Sequence, residues 1–302
     1  MLENKALAAV QPQTTAVGFI GLGVMGRSMA GHILDEGYTL HVYNRTAAKA
    51  DELVARGAVR HDDPASLAVA SDVIITIVGY PQDVEQLYLG ESGLVASAKQ
   101  GALLIDMTTS SPLLAARIAE AAAAQGKRAL DAPVSGGDIG ARERRLSIMV
   151  GGDESAFEAA RPLFALMGTN VVHQGGPGAG QHTKMCNQIA IASNMMGVCE
   201  AIAYAEAAGL DPKTVLASIE SGAAGSWSLS NLGPRIIGGN FEPGFYVKHF
   251  IKDMGIALEA AREMRLELPG LTLAESLYRR LAGLGYADKG TQALFKLWEQ
   301  GD

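Results

Sequence analysis

Ten residues near the start of the chain, Val17 to Gly26 (VGFIGLGVMG), restrict its fold more than any other stretch. Ala16–Ile20 is apolar and reads as a strand, and Val24–Glu36 has the period of an amphipathic helix with Gly37 as its stop. Gly21, Gly23 and Gly26 form a GxGxxG in that strand–turn–helix context. The first glycine permits the tight turn, the second lets a pyrophosphate approach the backbone, and the third lets helix pack on strand. The helix start then offers N–H groups and the positive end of a dipole to phosphate oxygens. Leu22, Val24 and Met25 complete the segment expected to cradle a dinucleotide.

The following residues continue the alternation. Thr39–Tyr43 reads as a strand, Ala47–Arg56 as a helix ended by Gly57, and Val73–Val78 as a central parallel strand, apolar on both faces. Ala102–Ile105 is a further strand, Pro112–Gln125 a helix with proline in its first turn, and Arg128–Ala132 and Leu146–Val150 two more strands. This pattern predicts an α/β fold, a doubly wound and mostly parallel sheet of the Rossmann type. Near the glycine-rich joint Gly175–Gly180 it changes to helices only. A long helix is expected over about 181–208, then one capped by Asp211 with Pro212 in its first turn, and others over Tyr246–Arg265, Pro269–Leu284 and Thr291–Trp298. The expected organisation is a loose tail over 1–14, a dinucleotide-binding domain over 15–176 and an all-α domain over 177–302, joined by the long helix.

Composition excludes several classes. Hydrophobic residues are 48% and charged residues 19% of the 302, which is ordinary globular material rather than a disordered chain. Lys and Arg number 25 against 32 Asp and Glu, so the net charge of −7 gives no basic field for nucleic acid or anionic lipid. No stretch of ~20 residues is uniformly apolar, so no membrane helix is expected, and the apolar run near residue 1 is too short for a signal peptide. The two cysteines, Cys186 and Cys199, sit 13 residues apart in one helical stretch. That spacing, ~20 Å along a helix, is beyond disulfide reach. Free thiols and the absence of a leader point to a cytoplasmic protein. The six histidines are scattered without ligand spacing, so no metal site is expected.

The end of the second strand, Asn44-Arg45-Thr46, decides which dinucleotide fits. NAD sites usually carry an acid there for the ribose 2′-OH, and this chain has none. Arg45 can instead bind a 2′-phosphate through charge-assisted hydrogen bonds, unless it is merely a solvated surface arginine. Such bonds are worth ~1.5–3 kcal/mol, roughly one to two decades of preference, so NADP is favoured over NAD.

Three other segments carry chemistry: DMTTSSP (Asp106–Pro112), DAPVSGGDIGA (Asp131–Ala141) and GPGAGQHTKMCNQ (Gly176–Gln188). Ser135, Gly136 and Gly137 offer a hydroxyl and adjacent N–H groups, a suitable cup for a carboxylate. Lys184 shares a helix face with Asn187 and Gln188 and heads an apolar stripe of Ile191, Met195, Val198 and Ile202. Desolvation there disfavours the ammonium form and suits a lysine to proton exchange with a hydroxyl or carbonyl.

In order and spacing these motifs, with FYVKHFIKDMGIAL (Phe245–Leu258), resemble the β-hydroxyacid dehydrogenase family over the chain from Val17 onward. That family includes 3-hydroxyisobutyrate dehydrogenases, tartronate semialdehyde reductases and glyoxylate/succinic semialdehyde reductases. The resemblance implies Lys184 as general acid/base, Ser135, Gly136 and Gly137 on the substrate carboxylate, and an amide, Asn187 or Gln188, on the substrate hydroxyl. It places Thr109 near the nicotinamide ribose or substrate, with a helix cap as the equal alternative. Val78 ends the central strand and Gly79 and Tyr80 follow it; the three are expected to line the cofactor cleft. Phe245 and Asp253 are implied at the substrate and Lys252 at the cofactor, the bland alternatives being a core aromatic and a solvated lysine. Trp227 fits either a pocket or a subunit contact.

The expected protein is an NADP-dependent oxidoreductase, moving hydride between nicotinamide and a small 3-hydroxy acid or semialdehyde acid. The implied partners are a small carboxylate substrate and further copies of the chain, as homodimer or homotetramer. A catalytically silent NADPH-binding interaction or sensor protein is the alternative. The joint presence of Ser135, Gly137 and Lys184 speaks against it.

Overall fold

The computed structural model describes residues 9–299, and the chain divides into two compact units between Lys184 and Met185. The first unit is built on nine strands: β1 Ala16–Ile20, β2 Thr39–Tyr43, β3 Val59–Arg60, β4 Val73–Thr76, β5 Leu103–Asp106, β6 Arg128–Asp131, β7 Val134–Ser135, β8 Leu146–Gly152 and β9 Gly168–Gly175. They form one sheet in the order β3-β2-β1-β4-β5-β6-β8-β7, with β9 also paired to β8. The run from β3 to β6 is parallel, whereas β8 is antiparallel to β6 and β7 and parallel to β9. The sheet is therefore mostly parallel, as expected.

The central strands β1, β4 and β5 are buried on both faces, which explains their nearly continuous apolar sequence. On β4, Val73 and Ile75 join one core cluster with Phe19, Met29 and Ile33, while Ile74 joins another with Val84, Tyr88 and Ile118. Strand order reverses between β1 and β4, so the connections leaving their carboxyl ends run in opposite directions, the usual ligand position in open α/β sheets.

The second unit is helical among the described residues. It contains most of the long helix Ala179–Ala207, then Pro212–Ile219, Trp227–Ile237, Val247–Glu263, Pro269–Leu281 and three short closing elements, Ala282–Tyr286, Thr291–Phe295 and Lys296–Glu299. Met195, Cys199, Ile202, Phe250, Met254 and Tyr278 form its core. Asp211 caps its helix as expected, accepting from Lys213 and Thr214 N–H.

Some expectations need correction. Within the supposed loose tail, Val10 is buried, its N–H donating to Ala159 O at 3.0 Å; residues 1–8 lie outside the described range. The stretch Ala47–Arg56 is a 3-10 turn, Ala47–Ala50, running into a short helix, Asp51–Ala55. The expected helix Pro269–Leu284 is α-helical only to Leu281. Strands β3, β7 and β9 and the helices Pro64–Ala70, Pro81–Leu89, Glu154–Ala165 and Trp227–Ile237 had no counterpart in the sequence reading.

Candidate active site

The glycine loop closes β1 under tight steric limits. Gly21 has φ +99°, and a Cβ there would lie 2.1 Å from Ile77 O. A Cβ on Gly26 would lie 1.9 Å from Gly21 O, so helix and strand approach at a distance only glycine permits. Gly23 differs: nothing lies within 4 Å of its Cβ position. It is exposed and is the N-cap of the helix Val24–Asp35, with no side-chain cap bond. An uncovered helix start beside an open glycine is the shape a pyrophosphate needs, so these residues fit a dinucleotide.

Around the loop, Asn44 has a structural task. Its Oδ1 accepts the Leu22 N–H at 2.9 Å and its Nδ2 donates to Thr46 O at 2.9 Å, which ties the end of β2 to the glycine turn. Arg45 is 80% exposed, with Nη1 3.3 Å from Asp83 Oδ1. Asp83 Oδ2 accepts the Tyr80 N–H at 3.1 Å, holding the turn after β4. Val78 donates its N–H to Thr108 Oγ1 at 2.9 Å.

The ends of β5 and β6 carry two buried carboxylates. Asp106 Oδ1 accepts from Thr76 Oγ1 at 2.9 Å and Thr108 N at 3.0 Å, and Thr76 Oγ1 lies 2.8 Å from Tyr88 OH. Burial pushes the Asp106 carboxyl up to about 6, and the Asp131 charge adds to this while the hydrogen bonds oppose it. Asp131 caps the long helix: Oδ1 accepts Gly178 N–H and Oδ2 accepts Gln181 N–H, each at 2.8 Å. Burial raises its pKa and these backbone amides pull it back. Gln181 grips the Asp106–Pro112 segment, accepting Ser110 N–H at 2.9 Å and donating to Thr108 O at 2.7 Å. Ser111, not Thr109, caps the helix Pro112–Ala124. That removes the cap alternative for Thr109.

Ser135 ends β7 and is followed by Gly136 and Gly137, at φ +129° and +64°. Two consecutive residues in this region form a bend that side chains strongly disfavour. Lys184 lies near the start of the long helix and is only 6% exposed.

In the second unit, Asp253 Oδ2 accepts from buried Gln188 Nε2 at 2.5 Å, and Gln188 Oε1 accepts from half-buried Asn187 Nδ2 at 2.7 Å. Lys252 Nζ lies 3.0 Å from Asp253 Oδ1, an ion pair without hydrogen-bond alignment. Phe245 packs its ring 5.5 Å from Phe250 in this unit's core cluster. Trp227 opens its helix largely exposed.

The glycine loop, Asn44–Thr46, Val78–Tyr80, Thr109, Ser135–Gly137 and Lys184 thus belong to the first unit, and Asn187, Gln188, Phe245, Lys252 and Asp253 to the second. Asp83, Asp106, Asp131 and Gln181 had no role in the sequence reading. The signal for Asp106 was a carboxylate ending an otherwise apolar, buried strand, LLID; RALD, which opens on half-buried Arg128, gives a weaker one for Asp131.

The comparisons agree across the chain. Residues 16–176 match a family described as the NAD binding domain of 6-phosphogluconate dehydrogenase, and residues 178–298 match one described as NAD-binding of NADP-dependent 3-hydroxyisobutyrate dehydrogenase. An uncharacterized oxidoreductase of Bacillus subtilis, YkwC, is 62% identical, covering 93% of this chain and 98% of its own. A probable mitochondrial 3-hydroxyisobutyrate dehydrogenase-like protein of Arabidopsis thaliana is 50% identical over 96% of this chain and 87% of its own. A Mycobacterium tuberculosis 3-hydroxyisobutyrate dehydrogenase solved with L-serine is 29% identical, with a TM-score of 0.87 over 94% of this chain and 98% of its own. The glycine cradle, the buried lysine and this similarity over nearly the whole length lead to one conclusion: the chain belongs to the β-hydroxyacid dehydrogenase family of nicotinamide-dependent oxidoreductases.

Proposed function

We propose that this enzyme interconverts a small 3-hydroxy acid and its semialdehyde or keto acid, with NADP as the preferred cofactor and Lys184 as general acid/base. A bound nicotinamide supplies or takes up the hydride. The observation that carries the reading is Lys184, a lysine only 6% exposed in the same compact unit as the open Gly23 cradle. Lys184 Nζ gives a proton to the carbonyl oxygen in reduction and takes one from the hydroxyl in oxidation. Ser135 Oγ and the Gly136 and Gly137 N–H groups hold the substrate carboxylate and fix the reacting carbon.

The amide network favours Asn187 over Gln188 as the group on the substrate hydroxyl. The Asp253 carboxylate only accepts, so Gln188 turns its NH2 towards it. Gln188 Oε1 then accepts one Asn187 Nδ2 hydrogen, which leaves the second to donate to the substrate oxygen whose proton Lys184 exchanges. Preference for NADP rests on Asn44-Arg45-Thr46, which has no acid to repel a 2′-phosphate and an arginine exposed enough to reach one.

The test is turnover of short semialdehydes and 3-hydroxy acids by purified protein with NADPH and with NADH. NADPH-dependent turnover of one such carboxylate supports the reading. Tight NADPH binding with no turnover of any of them points instead to a silent binding protein.

A further inference from the structure

We propose that Gln181 is a positioning residue for this reaction, one side chain that sets Thr109 and Lys184 in register. The inference rests on Lys184 acting as the proton-exchanging group. A primary amide has one accepting oxygen and a donating NH2. Gln181 uses both on the peptide groups that flank Thr109: it accepts from Ser110 N and donates to Thr108 O. Its backbone N–H is fixed in turn by Asp131. Gln181 is fully buried, at 0% exposure, so water cannot replace these bonds.

The grip belongs to a wider network. Thr108 takes the Val78 N–H on its hydroxyl and gives its own N–H to Asp106. The ends of β4, β5 and β6 and the start of the long helix are thereby joined in one buried hydrogen-bonded unit. Gln181 is the member that is both on the lysine's helix and in contact with the Thr109 turn. Lys184 follows it by three residues, a rise of ~4.5 Å, so whatever moves Gln181 moves Lys184 relative to Thr109.

Gln181→Met keeps length and volume and removes both bonds; Gln181→Glu keeps an acceptor for Ser110 and sets an oxygen against Thr108 O. Three quantities are to be read on both variants and the wild type: amide hydrogen exchange at 108–110 in cofactor-free protein, NADPH affinity, and kcat and KM. For Gln181→Met we expect exchange at Ser110 at least about tenfold faster, and NADPH affinity and KM changed less than about threefold. We expect kcat to fall about 10- to 100-fold, the loss that a misplacement near 1 Å brings. Gln181→Glu, which opposes two oxygens in a fully buried site, should lose kcat at least as far, and it carries the test if the methionine variant does not fold. Faster exchange with kcat and KM within about twofold of wild type makes Gln181 merely structural and overturns the proposal. A wild type that turns over no carboxylate substrate overturns the functional reading itself, a different result from an active wild type with an unaffected variant.

Discussion

Asp106 holds a carboxyl among strand residues buried on both faces, pushed up to about 6 from 3.8. The folded chain therefore binds this proton more tightly than the unfolded chain. The stability from that proton is complete below pH 3.8 and is lost as pH rises through about 6. Asp106→Asn keeps an oxygen for Thr76 and Thr108 and removes the charge. Its stability relative to wild type should rise between pH 4 and 7 by up to about 3 kcal/mol, read from denaturant midpoints at each pH. A difference flat in pH contradicts this account of the carboxyl. Arg45 supplies a second test at this scale. Its exposed pair with Asp83 is worth little, so it does not hold the guanidinium back from a phosphate. Arg45→Ala should weaken NADPH binding about 10- to 100-fold and leave NADH nearly unchanged in fluorescence titrations. An equal loss for both removes the argument for NADP. The strand–glycine turn–helix at the start of the fold was legible because its signal is local. Gln181 and Asp131 were not, since their partners lie 47 to 73 residues away and only the fold brings them together.

Elements were legible where their pattern was strong. Strands β1, β4 and β5 are buried apolar runs and β2 alternates buried with more exposed residues, each with glycine, proline or capping signals nearby. Strands β3 and β7 have two residues each, too few to show a period. The helix Glu154–Ala165 contains Pro162, a residue that argues against helix on sequence alone. The long helix was expected from about 181 and begins at Ala179, where Asp131 replaces the local cap that its sequence lacks. That replacement makes a prediction for the element. Asp131→Ala leaves Gly178 and Gln181 N–H groups buried without acceptors, at a cost of about 1–3 kcal/mol each. The thermal midpoint should drop by several degrees, and Asp131→Asn, which keeps one accepting oxygen, should recover part of it. An unchanged midpoint for the alanine variant shows that the cap contributes nothing.

At the scale of the whole molecule, the glycine loop, Ser135–Gly137 and Lys184 lie in one compact unit, while Asn187 follows on the same long helix in the second. Fold and family were legible because four motifs stand in order along the chain, each with a distinct physical task. The oligomeric state was not, because exposed residues such as Tyr204 and Trp227 name no partner by themselves. No helix among the described residues is long and apolar enough to cross a membrane. The central claim is that the first unit binds the cofactor and that Lys184, as a separable function, moves the proton. The most direct test is Lys184→Ala, with NADPH affinity and substrate turnover measured on the same preparation. The account predicts affinity within about threefold of wild type and turnover lowered about 10²- to 10⁴-fold, the range for loss of a general acid/base. Turnover within a few-fold of wild type, with binding intact, contradicts it and assigns the proton to another group.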